Sequence, residues 1–361
     1  MTEDAPFWVA FNHIKGIGPV RFRRLLEVFG SAAAAWCASF KALQEVLGER
    51  LAEAVVTARE NVVPEKLYRT ILQEGIQVIP FPDPQYPPLL QEIAYPPFLL
   101  YVRGHLDFRA HERYLAIVGT RHPTPYGMKA ARLLARELAR DGWIIVSGLA
   151  VGIDGEAQKA VVEEGYPTVA VLGSGLQRVY PKRHFLLSQE IVAKGGALVS
   201  EYPPHTEPRP EHFPLRNRII AGLSLGVLVV EAPRKSGALI TVDYALEAGR
   251  EVMAVPGPIF SPQSEGTNAL IAQGAKLVRD PTDVLEAFGL FSSTKKETLK
   301  EDIPLGLKEK ALFSLIDHTG VLKEELLART GWDEGEFFEV LLALELKGLV
   351  EELPGGRVVR K

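Results

Sequence analysis

Apolar residues recur at helical spacing through roughly the first seventy positions, as in Val20-Arg21-Phe22-Arg23-Arg24-Leu25-Leu26 and again over residues 40–56. The pattern predicts an N-terminal helical domain over residues 1–75. Prolines then recur too closely for continuous helix between Pro80 and Pro97, so residues 76–113 read as an extended connector. From Tyr114 to about residue 288 the pattern changes to short β-branched runs, each ending in a loop and followed by a helix-like segment. Residues 115–118 lead into Gly119-Thr120-Arg121, 143–146 into Ser147-Gly148-Leu149, and 168–172 into Gly173-Ser174-Gly175. Residues 226–230 lead into Glu231-Ala232, and 252–255 into Pro256-Gly257. Near-continuous apolar strands alternating with helices predict an α/β fold, a Rossmann-like and mostly parallel sheet covered on both faces within residues 76–290. Ligands of such sheets gather at the carboxyl ends of the strands, so all five loops are expected at one functional edge.

The last hundred residues split again. Residues 291–304, with Ser292-Ser293-Thr294-Lys295-Lys296-Glu297, read as a linker. Residues 305–361 predict helices near 308–316, 322–329 and 333–347 and a hairpin turned at Pro354-Gly355-Gly356, the outline of a winged helix.

Composition narrows the function classes. The 361 residues are 47% hydrophobic and 24% charged, which is ample for a buried core. No apolar run approaches the roughly 18 residues of a membrane helix, and Met1-Thr2-Glu3-Asp4 lacks the order of a signal peptide. The single cysteine, Cys37, excludes an internal disulfide and a cysteine-based zinc site, so a cytoplasmic protein is expected. A net charge of −4 argues against a surface that coats DNA throughout, while leaving room for a local basic groove.

Such a groove has candidate parts. The loop Gly148-Leu149-Ala150-Val151-Gly152-Ile153-Asp154 lets backbone N–H groups approach an anion at a helix start; equally, it reads as a tight turn with Asp154 as an N-cap. Its spacing is not G-x-G-x-x-G, and no acid closes the second strand to hold a ribose, so no nicotinamide cofactor is expected. Cations stand beside the loops: Arg121, then Lys182-Arg183 after Tyr180-Pro181, Arg216-Asn217-Arg218, and Arg234-Lys235 before Ser236-Gly237. Any one alone reads as a solvated surface charge. As a row at repeated strand ends of a net-acidic chain, they suit successive phosphates of a nucleic acid backbone. Tyr180, Phe185 and Phe213 could stack on bases, although Phe185 also reads as a helix-core residue.

Gly119-Thr120-Arg121, Ser147-Gly148-Leu149-Ala150-Val151-Gly152-Ile153-Asp154 and Gly173-Ser174-Gly175-Leu176 with Tyr180-Pro181 resemble the DNA-processing protein A family. So do Ser200-Glu201-Tyr202-Pro203-Pro204, the specific run from Phe213 through Ser224, Ser236-Gly237-Ala238-Leu239-Ile240-Thr241, Val255-Pro256-Gly257 and Gly266-Thr267-Asn268, in order across about residues 80–285. The resemblance implies a homodimer that binds single-stranded DNA in a basic pocket, requires no cofactor, and helps load the RecA recombinase during natural transformation. It implies DNA contacts at Gly119, Thr120, Arg121, Gly148, Lys182 and Phe185, with Arg216 and Asn217 in support. One position departs from it: His184 stands where the family usually carries asparagine.

An enzymatic alternative rests on the same fold. Nucleotide phosphoribohydrolases use Pro-Gly-Gly-x-Gly-Thr followed by glutamate, but the matching stretch, Lys235-Ser236-Gly237-Ala238-Leu239-Ile240-Thr241-Val242-Asp243, lacks the paired glycines and the glutamate. The eight histidines have no metal-ligand spacing, so no metal and no catalysis are expected. In the flanks, Ile14-Lys15-Gly16-Ile17-Gly18-Pro19 ahead of a basic helix reads as a helix-hairpin-helix phosphate clamp or as a helical (SAM-like) interaction module. The third helix of the winged-helix domain sets Asp333, Glu334, Glu336, Glu339 and Glu345 against Lys347 alone, so that domain is expected to contact protein rather than duplex DNA.

Overall fold

The computed structural model describes residues 4–104, 106–290, 305–316, 320–353 and 356–360. Over Met1–Leu290 the described residues form a nine-stranded sheet: β1 (Gln77–Pro80), β2 (Leu99–Gly104), β3 (Tyr114–Val118), β4 (Ile144–Ser147), β5 (Thr168–Val171), β6 (Ala197–Ser200), β7 (Gly226–Val229), β8 (Glu251–Ala254) and β9 (Lys276–Leu277). Its order is β1-β2-β6-β5-β4-β3-β7-β8-β9. The seven strands from β6 to β9 are parallel, while β1 and β2 join antiparallel beyond β6. Strands β3 to β5 and β7 are buried at every residue, which is why their sequences are apolar runs without alternation.

Two expectations need correction. Residues 76–113 are not merely an extended connector: β1 and β2 lie within them and extend the sheet. Proline is compatible with this because β1 is an edge strand and Pro80 is its last residue. Nor does residue 75 close a separate domain, since Met1–Leu290 is one compact unit. The N-terminal helices are too small to bury their apolar faces alone. Trp8, Phe11 and Phe22 share a core with Phe98 and Tyr101 and with Leu172 and Leu198 of the sheet region. Phe22 stacks on Phe98 with centroids 4.2 Å apart, and Tyr101 Oη donates to Asn12 Oδ1 at 3.0 Å.

Helices Pro125–Arg140 and Ile153–Glu163 cover one face of the parallel strands, and His212–Gly222 and Gly237–Glu247 the other. The chain runs outward from β3 to β6 on one side and from β7 to β9 on the other. The order therefore reverses between β3 and β7, where the loops diverge and leave a crevice. Among the described residues no helix is long and apolar enough to cross a membrane.

Near the end of this unit Arg279 donates to both carboxylate oxygens of Asp283, at 3.0 and 2.8 Å. The guanidinium holds the Asp283 carboxyl at about 2, below the ordinary 3.8. A depressed folded-state value stabilises above the unfolded value and is lost as pH falls through the folded one. Asp283→Asn is expected to cost about 1 kcal/mol at neutral pH, discounted for screening at the exposed arginine. In urea melts the difference from the parent should vanish near pH 2.

The second unit, Phe291–Lys361, has helices Leu307–Leu315, Lys323–Thr330 and Glu334–Leu346 and strands β10 (Val321–Leu322), β11 (Val350–Leu353) and β12 (Arg357–Arg360), ordered β10-β12-β11. Leu312, Leu326, Phe337, Leu341, Leu344 and Val358 form its core. This is the expected winged helix, with β10 added. The expected linker 291–304 and the turn residues Pro354-Gly355 lie outside the described residues.

Candidate nucleic-acid interface

A cleft of about 520 Å³ opens where the strand order reverses. Gly119, Thr120 and Arg121 line it from the loop after β3, Phe213, Arg216 and Asn217 from helix His212–Gly222, and Ser236 and Gly237 from the loop after β7. The Thr120 N–H donates to the Glu231 carbonyl at 2.7 Å, which ties the two strand-end loops together. Any Cβ on Gly119 would lie 2.6 Å from Ile153 Cγ1 and 2.8 Å from the Glu231 carbonyl oxygen, so the turn accepts only glycine.

The loop after β4 is built inward. Gly152 has φ +83°, and a Cβ there would stand 2.3 Å from the Thr120 carbonyl oxygen. Gly152 is the residue that precedes helix Ile153–Glu163, so Asp154 is not the N-cap considered above. Asp154 is buried instead, and its Oδ2 accepts from the Gly148 N–H at 3.0 Å. Beside it Arg216, only 4% exposed, donates through Nη1 to the carbonyls of Gly148 (2.8 Å) and Val171. Burial pulls the Arg216 pKa down to about 10; the Asp154 charge partly offsets this, while the like charge of Arg121 adds to the lowering. Burial also raises the Asp154 pKa, with Arg216 and the Gly148 N–H pulling it back. The Gly148 donor and Nη1 of Arg216 are therefore engaged within the protein, forming the underside of the cleft, while the buried Arg216 Nε has no hydrogen-bond partner among the described residues. Asn217 Nδ2 donates to the Gly237 carbonyl at 3.2 Å and bridges the helix to the neighbouring loop.

The loop after β5 stands beside this floor and does not line the cleft beyond Tyr180. Lys182 is exposed, and Phe185 opens helix Phe185–Ala193 with 51% of its surface accessible, which excludes the helix-core alternative. His184 Nδ1 lies 2.8 Å from the Leu149 carbonyl oxygen. Its ring packs so closely on Gly155 that a Cβ there would be 2.4 Å from Cε1. The position at which the chain departs from the resemblance is thus a strut between two loops. Tyr180, itself half-exposed, lies with its ring centroid 5.6 Å from that of Phe213, and the Arg121 guanidinium lies over the Phe213 ring, 5.6 Å from its centroid.

The expected row of cations divides into two classes. Arg121, Lys182, Arg183, Arg234 and Lys235 are exposed, and none has an ion pair among the described residues. Arg216 and Arg218 are internal, the latter bound to Glu201 with both side chains largely buried. Sequence reasoning missed this division, and it missed helix Gly237–Glu247 as a source of positive potential. That helix starts at the cleft, where Ser236 Oγ accepts from the Ala238 N–H at 3.3 Å; the Ser236-Gly237 pair was its N-cap signature.

General acid–base chemistry finds little here. The carboxylate that lines the cleft, Asp154, is buried and held by the Gly148 N–H, with the Arg216 charge nearby. Glu231 accepts from Thr124 Oγ1 at 2.6 Å and from the Thr124 N–H at 2.9 Å. Asp243 is exposed and does not line the cleft.

Residues 77–289 match the family described as DNA recombination-mediator protein A, and residues 300–356 the DprA winged helix domain. Protein Smf of Synechocystis sp. is 34% identical across the full length of both chains. DNA processing protein DprA of Bacillus subtilis is 42% identical over 68% of this chain and 83% of its own. The X-ray structure of DNA processing protein A from Streptococcus pneumoniae superposes with a TM-score of 0.68 at 34% identity, covering 78% of this chain and 97% of that one. A structure of DNA processing protein A from Helicobacter pylori, described for its single-stranded DNA binding mode, superposes at 0.53 with 30% identity, covering 59% and 95%.

Proposed function

Because this chain belongs to the DNA recombination-mediator protein A family, we propose that it binds single-stranded DNA along the strand-end cleft and acts without catalysis or cofactor. In this reading it works in the cytoplasm as a homodimer, protects incoming strands and loads the RecA recombinase onto them during natural transformation.

The observation that carries it is the contact of Arg121 and Tyr180 with the half-buried Phe213 ring at the cleft, with the exposed Lys182 and Phe185 on the loop that follows Tyr180. Cations without intramolecular partners favour phosphates, and accessible rings favour unpaired bases. The Gly119-Thr120 turn brings backbone close to the strand, while Asn217, Arg216 and Gly148 shape the cleft wall and floor. The relative from Helicobacter pylori, whose structure is described for binding single-stranded DNA, supports the same reading. The phosphoribohydrolase alternative is disfavoured because the cleft carboxylate, Asp154, is buried and tied to the Gly148 N–H.

Oligothymidine is expected to bind more tightly than duplex of equal length, with log affinity falling by about 0.7 per phosphate contact for each decade of salt. A panel of mononucleotides should release neither base nor phosphate. Equal affinity for duplex would refute the strand preference, and release of base would establish the enzyme instead.

A further inference from the structure

Beyond the cleft, the N-terminal region carries basic and aromatic groups that the proposed function does not use. Helix Pro19–Phe29 sets Arg21, Arg23 and Arg24 in its first two turns, all exposed. Arg21 Nη1 donates to the Gly16 carbonyl at 2.7 Å. Arg23 and Arg24 have neither a hydrogen bond nor an ion pair among the described residues. The contrast with helix Pro125–Arg140 is informative. There Arg132 pairs with Glu156 and Glu163, Arg136 with Glu137, and Arg140 with Glu137 and Glu164. A merely solvated basic face would be laced with acids in that way. In Pro19–Phe29 the first turn has no acid, and the arginines stand near the positive end of the helix, where cations lower its stability. Folding gives no reason for them.

Arg23 and Arg24 line a hollow of about 350 Å³ together with Tyr95, a residue 60% exposed; Glu27 also lines it. The hollow continues into a groove of about 880 Å³ that shares Pro19, Val20 and Tyr95 with it and includes Lys15, Arg21 and Arg209. Two acids along this groove are already engaged, Glu201 by Arg218 and Glu207 by Arg178, which leaves Glu211 unpaired among the described residues. The groove in turn abuts the strand-end cleft along one segment: Arg209, His212 and Leu215 line the groove, and Pro210, Phe213 and Pro214 line the cleft.

We infer that single-stranded DNA leaving the strand-end cleft crosses the 209–215 segment and is held a second time, with a base on Tyr95 and phosphates on Arg23 and Arg24. The inference rests on the proposed cleft and extends it to a second contact. Aromatic rings hold bases irrespective of sequence, and unpaired guanidinium groups hold phosphates bidentately.

The test uses the full chain and two probes, an oligothymidine of about 6 nucleotides, the scale of one binding fold, and one of about 30. Arg23→Ala with Arg24→Ala is expected to weaken the long probe about tenfold or more and to reduce its salt slope by about 1.4, two phosphates at about 0.7 each. The short probe should be unaffected. Tyr95→Ala should weaken the long probe about tenfold while Tyr95→Phe retains binding, since the ring and not the hydroxyl does the stacking. All three residues are exposed, and thermal melts should match the parent. Unchanged affinity and slope for the long probe, or equal loss on both probes, overturns the second site. Substitutions at Arg121 and Lys182 weaken both probes whether or not the second site exists, so failure of the cleft reading is separately visible.

Discussion

Arg121→Ala combined with Lys182→Ala is expected to lower affinity for oligothymidine about a hundredfold, with no loss of thermal stability. Each cation removed forfeits one charge-assisted contact to phosphate, worth roughly 1.5 kcal/mol or more. The salt slope should fall by about 1.4. Stability is spared because neither side chain has an ion pair among the described residues, and substitutions at such positions stay within about 0.5 kcal/mol. Fluorescence anisotropy across a salt series, with calorimetry on the same samples, reads both quantities. Unchanged affinity in the double variant would remove the strand-end cleft as the DNA site.

The opposite signature is expected for Arg216→Ala. The guanidinium is 4% exposed, caps the carbonyls of Gly148 and Val171, and places its charge near the buried Asp154. Its removal leaves two buried carbonyls without donors and takes the compensating charge away from buried Asp154, a loss of about 3–5 kcal/mol. The thermal midpoint should drop by roughly 6–20 °C, taking about 2–4 °C per kcal/mol for a unit of this size. DNA binding should fail together with the fold of the loops. Arg216→Lys keeps the charge but loses the planar fork, and should fall between the two. Adding Asp154→Asn to Arg216→Ala should restore part of the stability, because the uncompensated charge disappears. A variant that melts like the parent yet binds DNA weakly would instead make Arg216 a direct phosphate contact.

How much of this was legible follows from what each residue has to do. The strand-end loops were readable because β3, β4, β5, β7 and β8 are mostly buried runs that stop at glycine or proline, or, for β7, at Glu231. Strand β6 was not, since Ala197-Leu198-Val199-Ser200 is short and little β-branched. Strands β1 and β2 were hidden by prolines, although Pro80 ends an edge strand and breaks no central ladder. The family and the winged helix were carried by motifs that the structure then accommodates in order. Charge direction was the weakest point. Sequence makes Arg216 look like Arg121, yet Arg216 lies three and four positions ahead of Ile219 and Ile220, both buried, and so shares their inward face. That spacing was available in the chain and would have separated the floor of the cleft from its rim. Asp154 offered no comparable clue, because an acid in the first turn of a helix reads as a cap in either case.

The ladder between β2 and β6 pairs Tyr101 with Ser200. When the N-terminal helices and β2 have left a ribosome, the strand that completes their hydrogen bonding is still about 100 codons away. At roughly 5–20 residues per second that is a wait of about 5–20 s with an unpaired edge beside an incomplete core. The newborn chain therefore depends on being shielded, or on its N-terminal helices staying loosely collapsed, until the middle of the message has been translated.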